Sequence, residues 1–159
     1  MEIYLLRHGI AADAEPGQSD SERALTDEGR EKLRRVLRRA REAGTKPEAI
    51  LSSPYLRAIQ TARVAKEALG YGGEIERVEV LVPEASPYDV WAEIRARKAE
   101  NAILLASHEP LMSSLAALLL GHPGLDIEFK KGAMLRLDCE RFGAQPRCRL
   151  KWMLTPALA

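Results

Sequence analysis

Apolar positions along the chain follow two different rhythms. Ile3-Tyr4-Leu5-Leu6, Ala49-Ile50-Leu51 and Ala102–Ala106 are short uninterrupted apolar runs. Runs of this length without helical spacing predict strands buried on both faces. Glu79-Val80-Leu81-Val82 is read as a further strand, third in chain order. Between these runs the apolar residues recur at helical spacing. Leu33, Val36, Leu37 and Ala40 form the stripe of a helix capped by Thr26, with Asp27 and Glu28 in its first turn and Gly44 past its end. A second helix is expected from about Tyr55 to Leu69, closed by Gly70. Ser86-Pro87 starts a third, through about Lys98, that turns Val90, Trp91 and Ile94 inward. Pro110 opens a fourth, Leu111 to Leu120, apolar nearly all round and stopped by Gly121. Met134–Asp138 and Arg149–Leu154 alternate apolar with polar residues and read as two strands joined by a turn at Phe142-Gly143-Ala144. The polar stretch from Ile10 to Leu25, with Pro16-Gly17, is a loop long enough to be functional.

Strands and helices alternate without internal repeats, which predicts a mostly parallel central sheet with helices on both faces, a three-layer α/β/α fold. At 159 residues the chain is expected to form one domain, 1–159, able to bury a core without disulfides or metals. Its net charge of +1 gives no general attraction for nucleic acid or a membrane surface, so anion binding must come from a local cluster. Arg34, Arg35, Arg38, Arg39 and Arg41 form a basic stripe on the first helix, but glutamates interleave with them and the stripe reads as a solvated face. The N-terminus lacks the basic and apolar regions of a signal peptide, and no apolar run reaches membrane-spanning length. A cytoplasmic protein is expected. Cys139 and Cys148 are too few for a disulfide framework and lack zinc-site spacing; they could face each other across the hairpin, with free thiols the expected state in a reducing compartment.

The chemistry collects at strand ends. Arg7-His8-Gly9, Arg57, Glu84 and His108 each follow a predicted strand, and in an open α/β sheet ligands bind in the crevice at those ends. Arg7 offers a planar fork of donors for a phosphate, His8 an imidazole nitrogen, and Gly9 a close backbone approach. Arg57 falls in the first turn of its helix, where a cation is unfavourable against the positive dipole end unless an anion joins it. Two guanidiniums, two imidazoles and a carboxylate at one edge suit phosphoryl chemistry. Arg23, in the long loop, is a further candidate for substrate contact or an ordinary solvated residue, and Ser52 and Ser107 either orient the site or cap strand ends.

Leu6-Arg7-His8-Gly9, Leu25-Thr26-x-x-Gly29, Ser52-Ser53-Pro54-x-x-Arg57-Ala58-x-x-Thr61-Ala62 and Ser107-His108 occur in that order over most of the chain. In these motifs the chain resembles the histidine phosphatase superfamily, the phosphoglycerate-mutase-like group. Its compactness, Pro83-Glu84 and Ser107-His108-x-Pro110-Leu111 are most similar to the small SixA-type phosphohistidine phosphatases. The resemblance implies a phosphoglycerate mutase-like fold without a lid subdomain, with His8 as the nucleophile that becomes phosphorylated. Arg7, Arg57 and His108 would hold the phosphoryl oxygens, with no metal or other cofactor. Glu84 matches the place of the usual general acid, Glu109 being the neighbouring alternative. The interval from Glu84 to His108 has room for one helix and one strand, so an open, shallow pocket is expected. The implied substrate is then a phosphohistidine-bearing phosphotransfer protein, with inorganic phosphate as product. A small-molecule phosphomonoesterase is the alternative within enzymes, and a phosphoprotein-binding module without turnover the alternative outside them.

Overall fold

A computed structural model describes every residue from Met1 to Ala159. Six strands make one sheet: β1 (Glu2–Arg7), β2 (Ala49–Ser52), β3 (Ile75–Arg77), β4 (Ala102–Ser107), β5 (Met134–Asp138) and β6 (Arg149–Leu154), in the order β3-β2-β4-β1-β5-β6. The first four in that order are parallel, while β5 runs antiparallel to β1 and β6 antiparallel to β5. Helices α1 (Asp27–Glu42) and α2 (Leu56–Leu69) cover one face, and α3 (Pro87–Ala96) and α4 (Leu111–Leu119) the other. This is a three-layer α/β/α arrangement, and between β3 and β4 the chain adds only a 3-10 turn and α3, so no lid covers the sheet edge.

The alternation of strand side chains divides the core in two. Tyr4 and Leu6 of β1, Ile50 of β2 and Leu104 of β4 face α1 and α2, meeting Leu33, Val36 and Leu37. Ile3 and Leu5, Ala49 and Leu51, and Ile103 and Leu105 face α3 and α4, meeting Trp91, Ile94 and Leu115. Because neighbouring residues of one strand serve opposite layers, the central strands have no polar face. Each fully buried side chain of this kind contributes about 1.5–3 kcal/mol, and a one-residue slip in register would exchange the two layers.

The expected third strand is displaced. Glu79–Leu81 is a 3-10 turn, and the strand that pairs with β2 is the preceding Ile75–Arg77. An edge strand does not need apolar residues, because one of its sides is solvent; Glu76 and Arg77 are exposed. In the turn only Leu81 is buried, against the α3–α4 layer. Arg97, just beyond α3, links the edge strand to that helix by ion pairs of 2.7 Å to Glu76 of β3 and 2.9 Å to Glu93 of α3. Helix α3 closes at Ala96, a little short of Lys98. The arginine stripe of α1 is exposed as expected. Across the hairpin, Cys139 and Cys148 are buried free thiols. In the run between β5 and β6, Phe142 stacks on Trp91 at 6.0 Å and the Gly143 carbonyl accepts a hydrogen bond from the Trp91 indole. No helix is long and apolar enough to cross a membrane.

The turn after β1 is held against α1 at closest backbone approach. A Cβ at Gly29 would lie 2.4 Å from the Ile10 carbonyl oxygen, and one at Gly9 2.8 Å from Leu33 Cδ1 and 3.1 Å from the Gly29 carbonyl. The Thr26 hydroxyl caps α1 by accepting from Gly29 N at 2.9 Å and donates to the Ile10 carbonyl. The two motif glycines are thus two halves of one contact. Gly29→Ala should destabilise the fold by about 1–3 kcal/mol, a fall in midpoint of roughly 2–4 °C per kcal/mol, read by thermal denaturation; an unchanged midpoint would show that this contact can relax.

Candidate active site

Strand register brings the predicted residues level. Arg7 pairs with Ser107 at the end of the β1–β4 ladder, His8 N donates to the Ser107 carbonyl at 2.9 Å, and Ser53 N donates to the Ala106 carbonyl at 3.0 Å. On the other side, Arg7 N donates to the Ala133 carbonyl and Gly132 N to the His8 carbonyl, both at 3.0 Å. Backbone pairing with two separate segments, one on each side, therefore fixes where the His8 ring begins.

His8 is 6% exposed and His108 1%. The two rings lie 5.1 Å apart between centroids, and Tyr55 meets His108 edge-on at 5.0 Å. His8 Nδ1 is 2.7 Å from the Gly9 carbonyl, which only accepts, so Nδ1 carries the proton and Nε2 the lone pair. Arg57, 5% exposed, donates from Nε to that Nε2 at 3.3 Å. Burial in the first place, and then the charges of Arg57, Arg7 and Lys131, push the His8 imidazole down to about 4, against the opposing pull of the Gly9 carbonyl. The arginines invoked from the sequence act in the expected direction, but desolvation is the larger cause. His108 is pushed down to about 3, by burial first and then by His8 and Arg57.

Thr61 ties the segment after β1 to α2. Its hydroxyl donates to the Arg57 carbonyl at 2.7 Å, one helical turn back, and accepts from Gly9 N at 3.2 Å. Ser53 Oγ accepts from Tyr55 N at 3.2 Å and lies 2.7 Å from His108 Nε2. Ser107 Oγ donates to the Leu81 carbonyl, fastening the 3-10 turn to the end of β4, and Ser52 Oγ donates to the Ser53 carbonyl. Within the site two buried polar atoms remain without a partner, Arg7 Nε and His108 Nδ1. Arg7 Nη1 donates to the Phe129 carbonyl at 2.6 Å.

The residues at the rim are arranged less as the sequence suggests. Glu84 is exposed, and none of the hydrogen bonds that build the site reaches it. The strand that was to present it is a 3-10 turn. Glu109 is half-buried and accepts from Ser113 N at 2.7 Å, while its charge supports that of Arg7. Arg23 donates to the Ala12 carbonyl and to Asp20 Oδ1 at 2.9 Å rather than to the histidines. Asp20 was missed. It sits in a 3-10 turn of the long loop, and it receives both ends of Arg57: Nη1 donates to its carbonyl at 2.7 Å and Nη2 to Oδ2 at 3.0 Å. Helix α2 has no acidic residue in its first turn, so the anion that a cation at that helix end requires comes from the loop. The unfavourable placement of Arg57 was the signal that such a partner had to exist.

Residues 3–82 match the model of the histidine phosphatase superfamily, branch 1. The chain is 34% identical over 122 residues to the phosphohistidine phosphatase SixA of Escherichia coli, covering 75% of this chain and 74% of that one. An uncharacterized protein of Picosynechococcus sp. is 33% identical over 140 residues, covering 86% and 84%. Among solved structures, the protein histidine phosphatase SixA complexed with tungstate superposes with a TM-score of 0.88 at 28% identity, over 99% of this chain and 98% of that one.

The depressed imidazoles give a stability profile. In the unfolded chain both rings protonate near pH 6.5, whereas in the folded protein they do so only at about 4 and about 3. Between these values the unfolded state binds more protons, so stability falls as pH drops from about 6.5 towards 4. Denaturant titrations across that range should show this decline, with a shallower slope in His8→Gln, and imidazole NMR shifts should report neutral rings at pH 6. Ring protonation near pH 6.5 in the folded protein would contradict the geometry.

Proposed function

The chain belongs to the histidine phosphatase superfamily, and on that footing we propose that it is a cytoplasmic phosphatase that hydrolyses phosphohistidine on proteins through a covalent phosphoryl group on His8. The observation that carries this reading is the His8 ring itself. It is buried and neutral, with Nδ1–H held by the Gly9 carbonyl and the Nε2 lone pair turned to the Arg57 guanidinium.

Each step uses groups already placed. Nε2 attacks phosphorus in line; the P–Nε2 bond forms as the bond to the substrate nitrogen breaks, and that nitrogen leaves with its electron pair. Positive charge then develops on the His8 ring, where the Gly9 carbonyl accepts from Nδ1–H. The equatorial oxygens of the transition state face Arg57 and Arg7, whose fixed charges need no reorganisation. The unpartnered Arg7 Nε and His108 Nδ1 gain partners in those oxygens. Water next attacks the phosphorus of phosphohistidine 8, breaking P–Nε2 and releasing inorganic phosphate. The two guanidiniums supply the charge that a metal would otherwise provide. An imidazole leaving group needs less proton donation than an alkoxide, consistent with a site to which Glu84 makes no hydrogen bond.

The protein-borne substrate is supported by the lidless edge above His8, since the crossover from β3 to β4 adds only a turn and α3. The SixA relative is a phosphohistidine phosphatase.

His8→Ala should abolish phosphate release from a phosphohistidine-bearing protein, and Arg57→Ala should lower kcat/KM about a hundredfold or more, the effect of removing one preorganised donor. EDTA should leave the rate unchanged. Residual turnover in His8→Ala would remove the covalent mechanism, and stoichiometric binding without phosphate release would make the protein a binding module. In a parallel assay against p-nitrophenyl phosphate and sugar phosphates, the phosphoprotein should be strongly preferred; the reverse preference would reassign the enzyme to small phosphomonoesters.

A further inference from the structure

A planar guanidinium presents Nε–H and one Nη–H along a single edge, and that edge accepts two oxygens of a carboxylate or phosphate side by side. In Arg57 this edge is made by Nε, which faces His8 Nε2 at 3.3 Å, and Nη2, which donates to Asp20 Oδ2 at 3.0 Å. A phosphoryl group attached to or approaching His8 Nε2 must bring its oxygens to the same edge. One of the two positions is therefore already held by an oxygen anion of the chain itself.

The geometry points to Asp20 as an internal anion that competes with the phosphoryl group for Arg57, and so as the residue that sets how much binding energy a substrate must bring. This rests on the reading of His8 and Arg57 as the phosphoryl site. The two partners are built for exchange. Arg57 is fixed: its side chain is 6% exposed, and its helix is tied to the nucleophile turn through Thr61. Asp20 is at the surface, with its side chain 59% exposed, in a three-residue 3-10 turn that buries no residue. Its other carboxylate oxygen, Oδ1, is held by Arg23 at 2.9 Å, and Arg23 is anchored to the Ala12 carbonyl at 2.8 Å. When a phosphoryl oxygen takes Nη2, Asp20 keeps Arg23 as a counter-ion and is not left unpaired. The carboxylate thus has somewhere to go, and Arg57 is never without an anion.

The consequence is selection by total binding energy. Free phosphate and small phosphomonoesters offer only their oxygens in exchange for the carboxylate. A phosphoryl group on a protein brings surface contacts outside the pocket as well, and these can meet the cost of displacing Asp20. The competing carboxylate lowers affinity for the first class more than it limits the second, and it keeps the product phosphate from lingering.

The test measures oxyanion binding apart from turnover. Orthovanadate and inorganic phosphate are titrated calorimetrically into the wild-type protein, Asp20→Asn, Asp20→Ala, Arg57→Ala and Glu22→Gln, the last removing a charge from the same turn without touching Arg57. Both Asp20 variants should bind orthovanadate and phosphate about fivefold more tightly, the scale of a partly exposed ion pair, while Glu22→Gln binds as wild type. In kinetics on p-nitrophenyl phosphate, Asp20→Asn should lower KM and strengthen product inhibition by about the same factor. Unchanged or weaker oxyanion binding in both Asp20 variants overturns the proposal, the weaker result making Asp20 a support for Arg57 instead. Equal tightening by Glu22→Gln also overturns it, since the effect would then be general charge. The underlying reading of the site fails separately, if wild type binds neither anion or if Arg57→Ala binds them undiminished.

Discussion

The hydrogen bond between His8 Nδ1 and the carbonyl of the very next residue, 2.7 Å long, decides which ring nitrogen carries the proton, and with it which nitrogen keeps its lone pair. That bond is made where the chain leaves β1. There Gly9 lies against Leu33 and the Gly29 carbonyl with no room for a Cβ, and Thr61 accepts its N–H. A neutral imidazole buried beside two arginines is stable because protonating it would place a third positive charge in a desolvated site. Burial and the neighbouring charges keep the ring neutral against the pull of the Gly9 carbonyl, which selects the tautomer. The two core layers, the strand register and the capping of α1 together hold a single torsional arrangement at residues 7–9.

The positive charge that makes the site useful also makes it expensive in the absence of a ligand. Two guanidiniums at the edge of a sheet, one of them at a helix N-terminus, repel each other and oppose the helix dipole. The structure offsets this with anions at the rim, Asp20 at Arg57 and Glu109 near Arg7, rather than within the pocket. The interior keeps neutral donors and acceptors: Ser53, Thr61 and the two imidazoles. Pairing charge at the periphery leaves the central guanidinium edge available by exchange, which a carboxylate fixed deep in the pocket would not allow.

Much of this was legible in the chain. The doubly buried strands could be read because they have no polar face, and the motif residues were placed correctly because each follows such a strand. The edge strand could not: Ile75-Glu76-Arg77 is exposed on one side and carries no pattern, while Glu79–Val82 imitates a strand with residues of which only Leu81 is buried. Glu84 follows that turn and is exposed. Asp20 was out of reach for another reason. It acts through a contact 37 residues away, from a loop whose composition says only that it is polar. What the sequence did contain was the demand for such a residue, in the helix position of Arg57. Burial as the main depressor of His8 was likewise invisible, because solvent exclusion is a property of the assembled layers and not of the neighbours in sequence.

Strand β1 lies between β4 and β5, so the residue that opens the chain's chemistry is walled by segments made much later. Arg7 N waits for Ala133, the His8 carbonyl for Gly132, and His8 N for Ser107. On a ribosome, the first strand leaves the exit tunnel long before any of these partners exists. Non-local pairing of this kind is slow to form and cannot be completed by a partial chain. The final setting of His8 is therefore a late event of biosynthesis: a truncated or stalled product carries His8 but not the environment that sets its protonation, and the order of translation itself withholds that environment until β5 has arrived.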